Sequence, residues 1–134
     1  MCEYCLLHEE DAYFGCQVDH IISEKHGGLT DATNLAYACT TCNRNKGSDV
    51  GSILMPLSRG IFSRFFNPRT DEWREHFEIN TNGITIISLS DIGEVTARIL
   101  GFNSPERLLE RQTLHEIDRY PTAEALRVTR LSVD

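Results

Sequence analysis

The chain is poor in positive charge. Its 134 residues hold 13 Lys and Arg against 20 Asp and Glu, a formal net charge of −7, the wrong sign for a protein that grips nucleic acid by electrostatics alone. Long apolar runs are also missing: none approaches the roughly 18 residues that cross a bilayer, so no membrane span is expected. The opening "MCEYCLLHEE" has neither the basic start nor the apolar stretch of a secretory signal, which makes the cytoplasm the expected compartment. Internal repeats and low-complexity linkers are absent. Hydrophobic content of 40% and charged content of 25% are those of an ordinary soluble globular protein, and a chain of this length suits one compact unit with a modest core.

Cysteine, by contrast, is plentiful. In a reducing compartment the five cysteines are expected to bind metal or to pack, not to form disulfides. Cys2 and Cys5 make one C-x2-C knuckle, Cys39 and Cys42 make a second, and Cys16 stands apart in an apolar stretch, where a small buried apolar role is expected. Two such knuckles close a tetrahedral thiolate site around Zn²⁺, since two intervening residues let both sulfurs of a turn reach one ion. Four thiolates leave no open coordination position, so this zinc is structural. A site of that kind, on the order of 10 kcal/mol or more, ties the N-terminus to Cys39 and Cys42 and braces what lies between.

Between the knuckles, "AYFGCQVDH" predicts a strand over residues 12–20, aromatic and β-branched, with Gly15 as a bulge or a point of close approach. It delivers Asp19 and His20 to its end. "IISEKHGGLTDAT" reads as a loop, "NLAYAC" as a second strand, and "TTCNRNKGSD" as a short helix that opens inside the second knuckle and ends near Gly47.

Asp19 and His20 in "VDHI", Asn34 in "TNLAYAC" and Asn43 in "CTTCNRNKG" together resemble the motif of the HNH endonuclease family, and the four cysteines resemble its zinc-stapled subgroup. Asn34 follows His20 by 14 positions and Asn43 by 23, a spacing similar to that of the HNH domain in RNA-guided DNA-cleaving enzymes. The resemblance covers residues 2 to about 49. It implies an α+β fold: a ββα-metal (HNH, His-Me finger) nuclease core at residues 1–50 with a structural zinc site, then a mixed extension of a strand and helices at 51–134 packed on that core. One position departs from the family pattern, because the last motif residue is commonly histidine and here is Asn43, an HNN variant. Asn45 is a second candidate for that role, although the register from Cys42 favours Asn43.

Phosphodiester hydrolysis needs an activated water, stabilisation of charge on the phosphate and help for the departing oxygen. The resemblance implies His20 as general base, a role that suits an imidazole near neutral pH. Asp19 and Asn43 then hold one catalytic Mg²⁺ or Mn²⁺, hard ions that match a carboxylate and an amide oxygen. Asn34 is expected to hydrogen-bond the loop backbone and so fix the path that aims His20. The implied substrate is DNA, cut to a 5′-phosphate and a 3′-hydroxyl. Arg44 and Lys46 flank Asn43 and are candidates for phosphate contact. His8, His26, His76 and His115 have no comparable support; His26 fits either phosphate contact from the loop or simple exposure, and exposure is the expected role.

Charge distribution softens the acidic total. Residues 1–42 carry seven acids and the single base Lys25, whereas from Asn43 to Arg69 the bases Arg44, Lys46, Arg59, Arg64 and Arg69 face Asp49 alone. Binding should be weak and salt-sensitive unless a protein partner supplies affinity. Interleaved arginines and aromatics (Phe62, Arg64, Phe65, Phe66, Arg69, Trp73) fit either DNA contact or an apolar face against the core. Further on, "NGITIISL" reads as a turn and strand, "SDIGEVTARILGF" and "SPERLLERQTLHEIDRY" as serine-capped helices, and "TAEALRVTRLSVD" as a last helix with a frayed tail. The competing function is a zinc-stapled nucleic-acid-binding module that does not cleave. The set Asp19, His20, Asn34 and Asn43 favours the enzyme, since a binding module needs no base beside a metal ligand.

Overall fold

The computed structural model describes residues 1–129. Strand β1 (Cys16–His20) pairs antiparallel with β2 (Leu35–Cys39), with Cys16 opposite Cys39 and His20 opposite Leu35. Helix α1 (Thr40–Lys46) follows β2 without a connecting loop. Its first turn is capped by Cys39 Sγ, which accepts from Cys42 N at 3.5 Å, and Gly47 ends it by donating to Asn43 O. One knuckle therefore serves as both metal turn and helix start.

The strand predicted over residues 12–20 begins only at Cys16. Residues 12–15 instead form a turn in which Phe14 and Gly15 both take positive φ, 68° and 70°, and Gly15 N donates to Ala12 O at 2.8 Å. The reason lies in the partner strand: β2 stops at Cys39 and Thr40 already enters α1, so the ladder ends there and Thr40 meets the preceding turn only through Gly15 O and Phe14 O. Tyr13 and Phe14, which look like strand residues in the sequence, are exposed with their rings 4.3 Å apart.

The C-terminal part holds four strands, not the single one expected. β3 (Gly51–Ile53) pairs with β4 (Phe62–Arg64). Helix α2 (Trp73–His76) runs into β5 (Phe77–Ile79), which pairs with β6 (Ile86–Ser88). Three-residue strands are too short to carry an alternating pattern. The remaining helices are α3 (Asp91–Leu100), α4 (Pro105–Glu116) and α5 (Ala123–Thr129). Ser90 caps α3 by accepting from Gly93 N at 3.0 Å, whereas Ser104 makes no side-chain cap bond to α4, which Pro105 opens. The tail expected after Thr129 lies outside the described residues. The architecture is α+β, with three small two-stranded sheets and five helices among the described residues. No described helix is long and apolar enough to cross a membrane.

A single hydrophobic cluster runs from Cys2 through Phe65, Phe66 and Phe102 to Ala125. Phe77 is at its centre, with ring centroids 5.6 Å from Phe66, 5.1 Å from Trp73 and 5.5 Å from Phe102. Two buried side chains from the C-terminal part donate to the first knuckle: Trp73 Nε1 to Tyr4 O at 2.8 Å, and Tyr120 OH to Cys5 O at 2.9 Å. Gly93 lets α3 lie close against α2, because a Cβ there would stand 2.2 Å from His76 O. The Phe77→Ala variant is expected to lose about 3–5 kcal/mol of unfolding free energy in urea denaturation, whereas a loss below about 1 kcal/mol would contradict this central packing role.

Candidate metal centre and active site

The four knuckle sulfurs converge. The Sγ atoms of Cys2, Cys5, Cys39 and Cys42 all lie within 4.8 Å of one another, and those of Cys5 and Cys39 are 3.7 Å apart. Zinc–sulfur bonds of about 2.3 Å imply a tetrahedron edge of about 3.8 Å, so the donor set fits a divalent metal of that size. All four residues are buried. Burial pushes the Cys2 and Cys42 thiols well up, while hydrogen bonding from Cys2 draws Cys5 and Cys39 down. Such a cluster shares protons that a metal ion would displace. Cys16 is half-buried outside the group, and burial pushes its thiol up to about 11.

A fifth residue completes this surrounding. Arg107 of α4 is 5% exposed and directs Nη2 to Cys42 Sγ at 3.5 Å and Cys39 Sγ at 3.8 Å, while Nη1 donates to Leu100 O at 3.2 Å. Burial works against its charge, but thiolate at Cys5, Cys42 and Cys39 raises its pKa above the usual arginine range. Sequence reasoning missed it because α4 inverts the usual pattern. Arg107 and Arg111, four residues apart, occupy the buried face, whereas Leu109 is 64% exposed. Arg111 is committed elsewhere, donating to Ile84 O at 2.5 Å and Phe102 O at 2.6 Å.

At the far end of β1, His20 is fixed by its own side-chain partners. Its Nε2 lies 2.8 Å from Thr30 Oγ1 and 3.5 Å from Glu24 Oε1, and Thr30 Oγ1 donates to the same Glu24 oxygen at 3.1 Å. A hydroxyl has one proton to give. With that proton on Glu24, Thr30 accepts from Nε2–H; in a neutral ring of that tautomer Nδ1 is the bare nitrogen, and nothing bonds Nδ1 among the described residues. Thr30 and Glu24 are absent from the sequence-based expectations, because their relation to His20 exists only once the loop has closed.

Asn34 closes that loop. Its Oδ1 accepts from Ile22 N, and its Nδ2 donates to both Ile22 O and Leu29 O, each at 2.9 Å. Backbone bonds add to the clamp: Ile21 N to Asn34 O at 2.8 Å and Gly28 N to Ser23 O at 3.0 Å. Gly28 is required by proximity, since a Cβ would stand 1.7 Å from Ile22 O and 2.9 Å from Asn34 Nδ2.

Helix α1 meets the end of β1 through Lys46. This residue is 2% exposed and its Nζ donates to His20 O at 3.2 Å; burial lowers its pKa, opposed by the charges of Asp19 and Asp49. The expected phosphate contact by Lys46 is therefore corrected: the ammonium faces inward and holds helix to strand. Asn43 precedes it by three residues, one helical turn, on the same face, and is half-exposed. Asn45 donates Nδ2 to Leu100 O at 2.8 Å, which ties its side chain to the end of α3. Asp19 is half-exposed beside His20, and Arg44 is exposed.

Two of the five bases in the basic stretch are ion-paired. Arg64 grips Asp71 through two bonds of 2.7 and 2.9 Å, and Arg69 pairs with Glu3. Phe65, Phe66 and Trp73 are buried and serve packing, leaving Phe62 exposed. Of the other histidines, His8 Nδ1 accepts from Glu10 N, His76 meets Ser90 Oγ at 2.7 Å, and His115 meets Tyr120 O at 3.0 Å. His26 is exposed at the end of a single 3-10 turn.

Residues 2–49 match the family model for HNH endonuclease. The match spans both knuckles, β1, β2 and α1, and leaves the C-terminal part outside it. Comparison with curated proteins and with solved structures found no match.

Elemental analysis of the purified protein should find about one zinc per chain, and a preparation that stays folded without metal would refute the zinc assignment. Gly28→Ala should lower the thermal midpoint by several degrees and shift the His20 ring resonances; an unchanged midpoint with unshifted resonances would contradict the loop clamp.

Proposed function

We propose that the segment matching the HNH endonuclease family is a working nuclease site, and that the protein hydrolyses phosphodiester bonds of DNA with one Mg²⁺ or Mn²⁺. The observation that carries this reading is the relay from His20 through Thr30 to Glu24. It has the arrangement a general base needs: one ring nitrogen anchored by an acceptor chain, the other bare. His20 takes a proton from water at Nδ1, and the nearby Glu24 carboxylate offsets the imidazolium charge that develops.

Asp19, next to His20 on β1, and Asn43, on the α1 face that Lys46 turns toward the same strand end, are the residues that would hold the catalytic cation. Their oxygens suit a hard divalent ion, with waters and the substrate phosphate completing its shell. When bound, such a cation polarises the phosphate and stabilises the leaving oxygen. Asn34 keeps the loop closed so that His20, Thr30 and Glu24 stay in register. Arg44 contacts phosphate, without Lys46. Between β1 and β4, an apolar cavity of about 140 Å³ lined by Ile21, Ile22, Phe62 and Phe65 offers a wall to the sugar or base beside the cut. The net charge of −7 makes affinity for free DNA low, so a protein partner supplies it. Cysteines that gather for a metal instead of pairing as disulfides suit a reducing compartment, the cytoplasm.

Supercoiled plasmid incubated with the protein and Mg²⁺ or Mn²⁺ should be nicked or linearised, and His20→Ala should slow this by about 10²-fold or more. Thr30→Val should slow it less and alter the pH profile, because it frees the ring without removing the base. Equal product from wild type and His20→Ala, or none from either across metals and salts, would favour a zinc-stapled module that binds without cleaving.

A further inference from the structure

The buried guanidinium of Arg107 has an unusual set of neighbours. No carboxylate forms an ion pair with it among the described residues, and its Nε is buried without a hydrogen-bond partner. A charge taken out of water without a counter-charge is strongly destabilising. The groups that face Arg107 are Leu100 O, at 3.2 Å from Nη1, and Cys42 Sγ and Cys39 Sγ, at 3.5 and 3.8 Å from Nη2; Glu110, three residues on, feels its charge without pairing with it. Four thiolates around one divalent cation leave a cluster with two excess negative charges, which one guanidinium halves.

We propose that Arg107 is the charge partner of the four-cysteine centre, and that through it metal occupancy and docking of α4 form one linked equilibrium. The contact joins positions 65 and 68 residues apart in the chain, reaching from the extension into the second knuckle. Trp73 and Tyr120 meanwhile bond carbonyls of the first knuckle, so both knuckles are held from the C-terminal part. Linkage is reciprocal: whatever factor Arg107 adds to metal affinity, the metal adds to the docking of α4. The extension thereby becomes a reader of metal state, loosening its hold when the cluster is empty. This inference rests on the cysteine centre holding a divalent metal, but not on the nuclease reading.

The test uses full-length wild type, Arg107→Met and Arg107→Lys, with Co²⁺ as a spectroscopic stand-in and a chromogenic chelator as competitor for Zn²⁺. Arg107→Met should bind metal about 10–100-fold more weakly, and its sulfur-to-cobalt charge-transfer band should move to lower energy, since loss of a cationic donor raises the sulfur electrons. Arg107→Lys, which keeps the charge, should restore part of the affinity. In wild type alone, removing the metal should speed hydrogen exchange across residues 105–116, a readout that survives even if Arg107→Met does not fold. Unchanged affinity and band position in Arg107→Met, or unchanged exchange at 105–116 while residues 2–42 lose protection, would overturn the coupling. Failure of wild type to bind any metal would instead overturn the centre itself.

Discussion

Four sulfurs held within 4.8 Å of one another are the constraint on which the rest of this protein is built. They join the first turn of the chain to the junction of β2 and α1, so the segment between becomes a closed loop with few ways to fold. Each knuckle has a second duty. Cys39 caps α1, while the turn from Cys2 to Cys5 presents the carbonyls of Tyr4 and Cys5 to Trp73 and Tyr120. A helix of seven residues is too short to be stable alone; here its start is fixed by the knuckle and its far end by Lys46 on the His20 carbonyl.

Within that frame the order around His20 is set by short-range bonds. Strand pairing puts His20 opposite Leu35, the residue after Asn34, so the clamp made by Asn34 forms next to the strand end it steadies. Gly28 allows the loop backbone to pass within contact of Ile22, and the same turn carries Glu24 and Thr30 to the imidazole. The proposed chemistry thus draws on a small surface whose parts are mutually dependent. Its polar groups are mostly accessible, as a site for a large charged substrate requires, while the supporting lysine and cysteines are buried.

How much of this could be read from the sequence follows from the range of each interaction. The cysteine pairs, the place of His20 at the end of β1, the loop bonds of Asn34, β2 and the extent of α1 are written in local spacing and capping residues. The end of β1 was legible but its start was not, because Phe14 and Gly15 turn away once Thr40 has left the sheet. Lys46 looked like a surface base beside Arg44; only packing against β1 shows that it faces inward. Arg107 was hidden by a helix that buries arginine and exposes leucine. The three-residue strands of the C-terminal part carry too little pattern to declare themselves.

Two centres on one short frame, a buried thiolate cluster and an accessible oxygen site at the opposite end of β1, form the core of this account. Anomalous diffraction from crystals soaked in Mn²⁺ with a short DNA duplex, recorded at the zinc and manganese absorption edges, tests it most directly. The account predicts one zinc peak at the centre of Cys2, Cys5, Cys39 and Cys42, and one manganese peak between Asp19 and Asn43 against a phosphate. Manganese bound elsewhere, with Asp19 and Asn43 free beside the bound DNA, would contradict it.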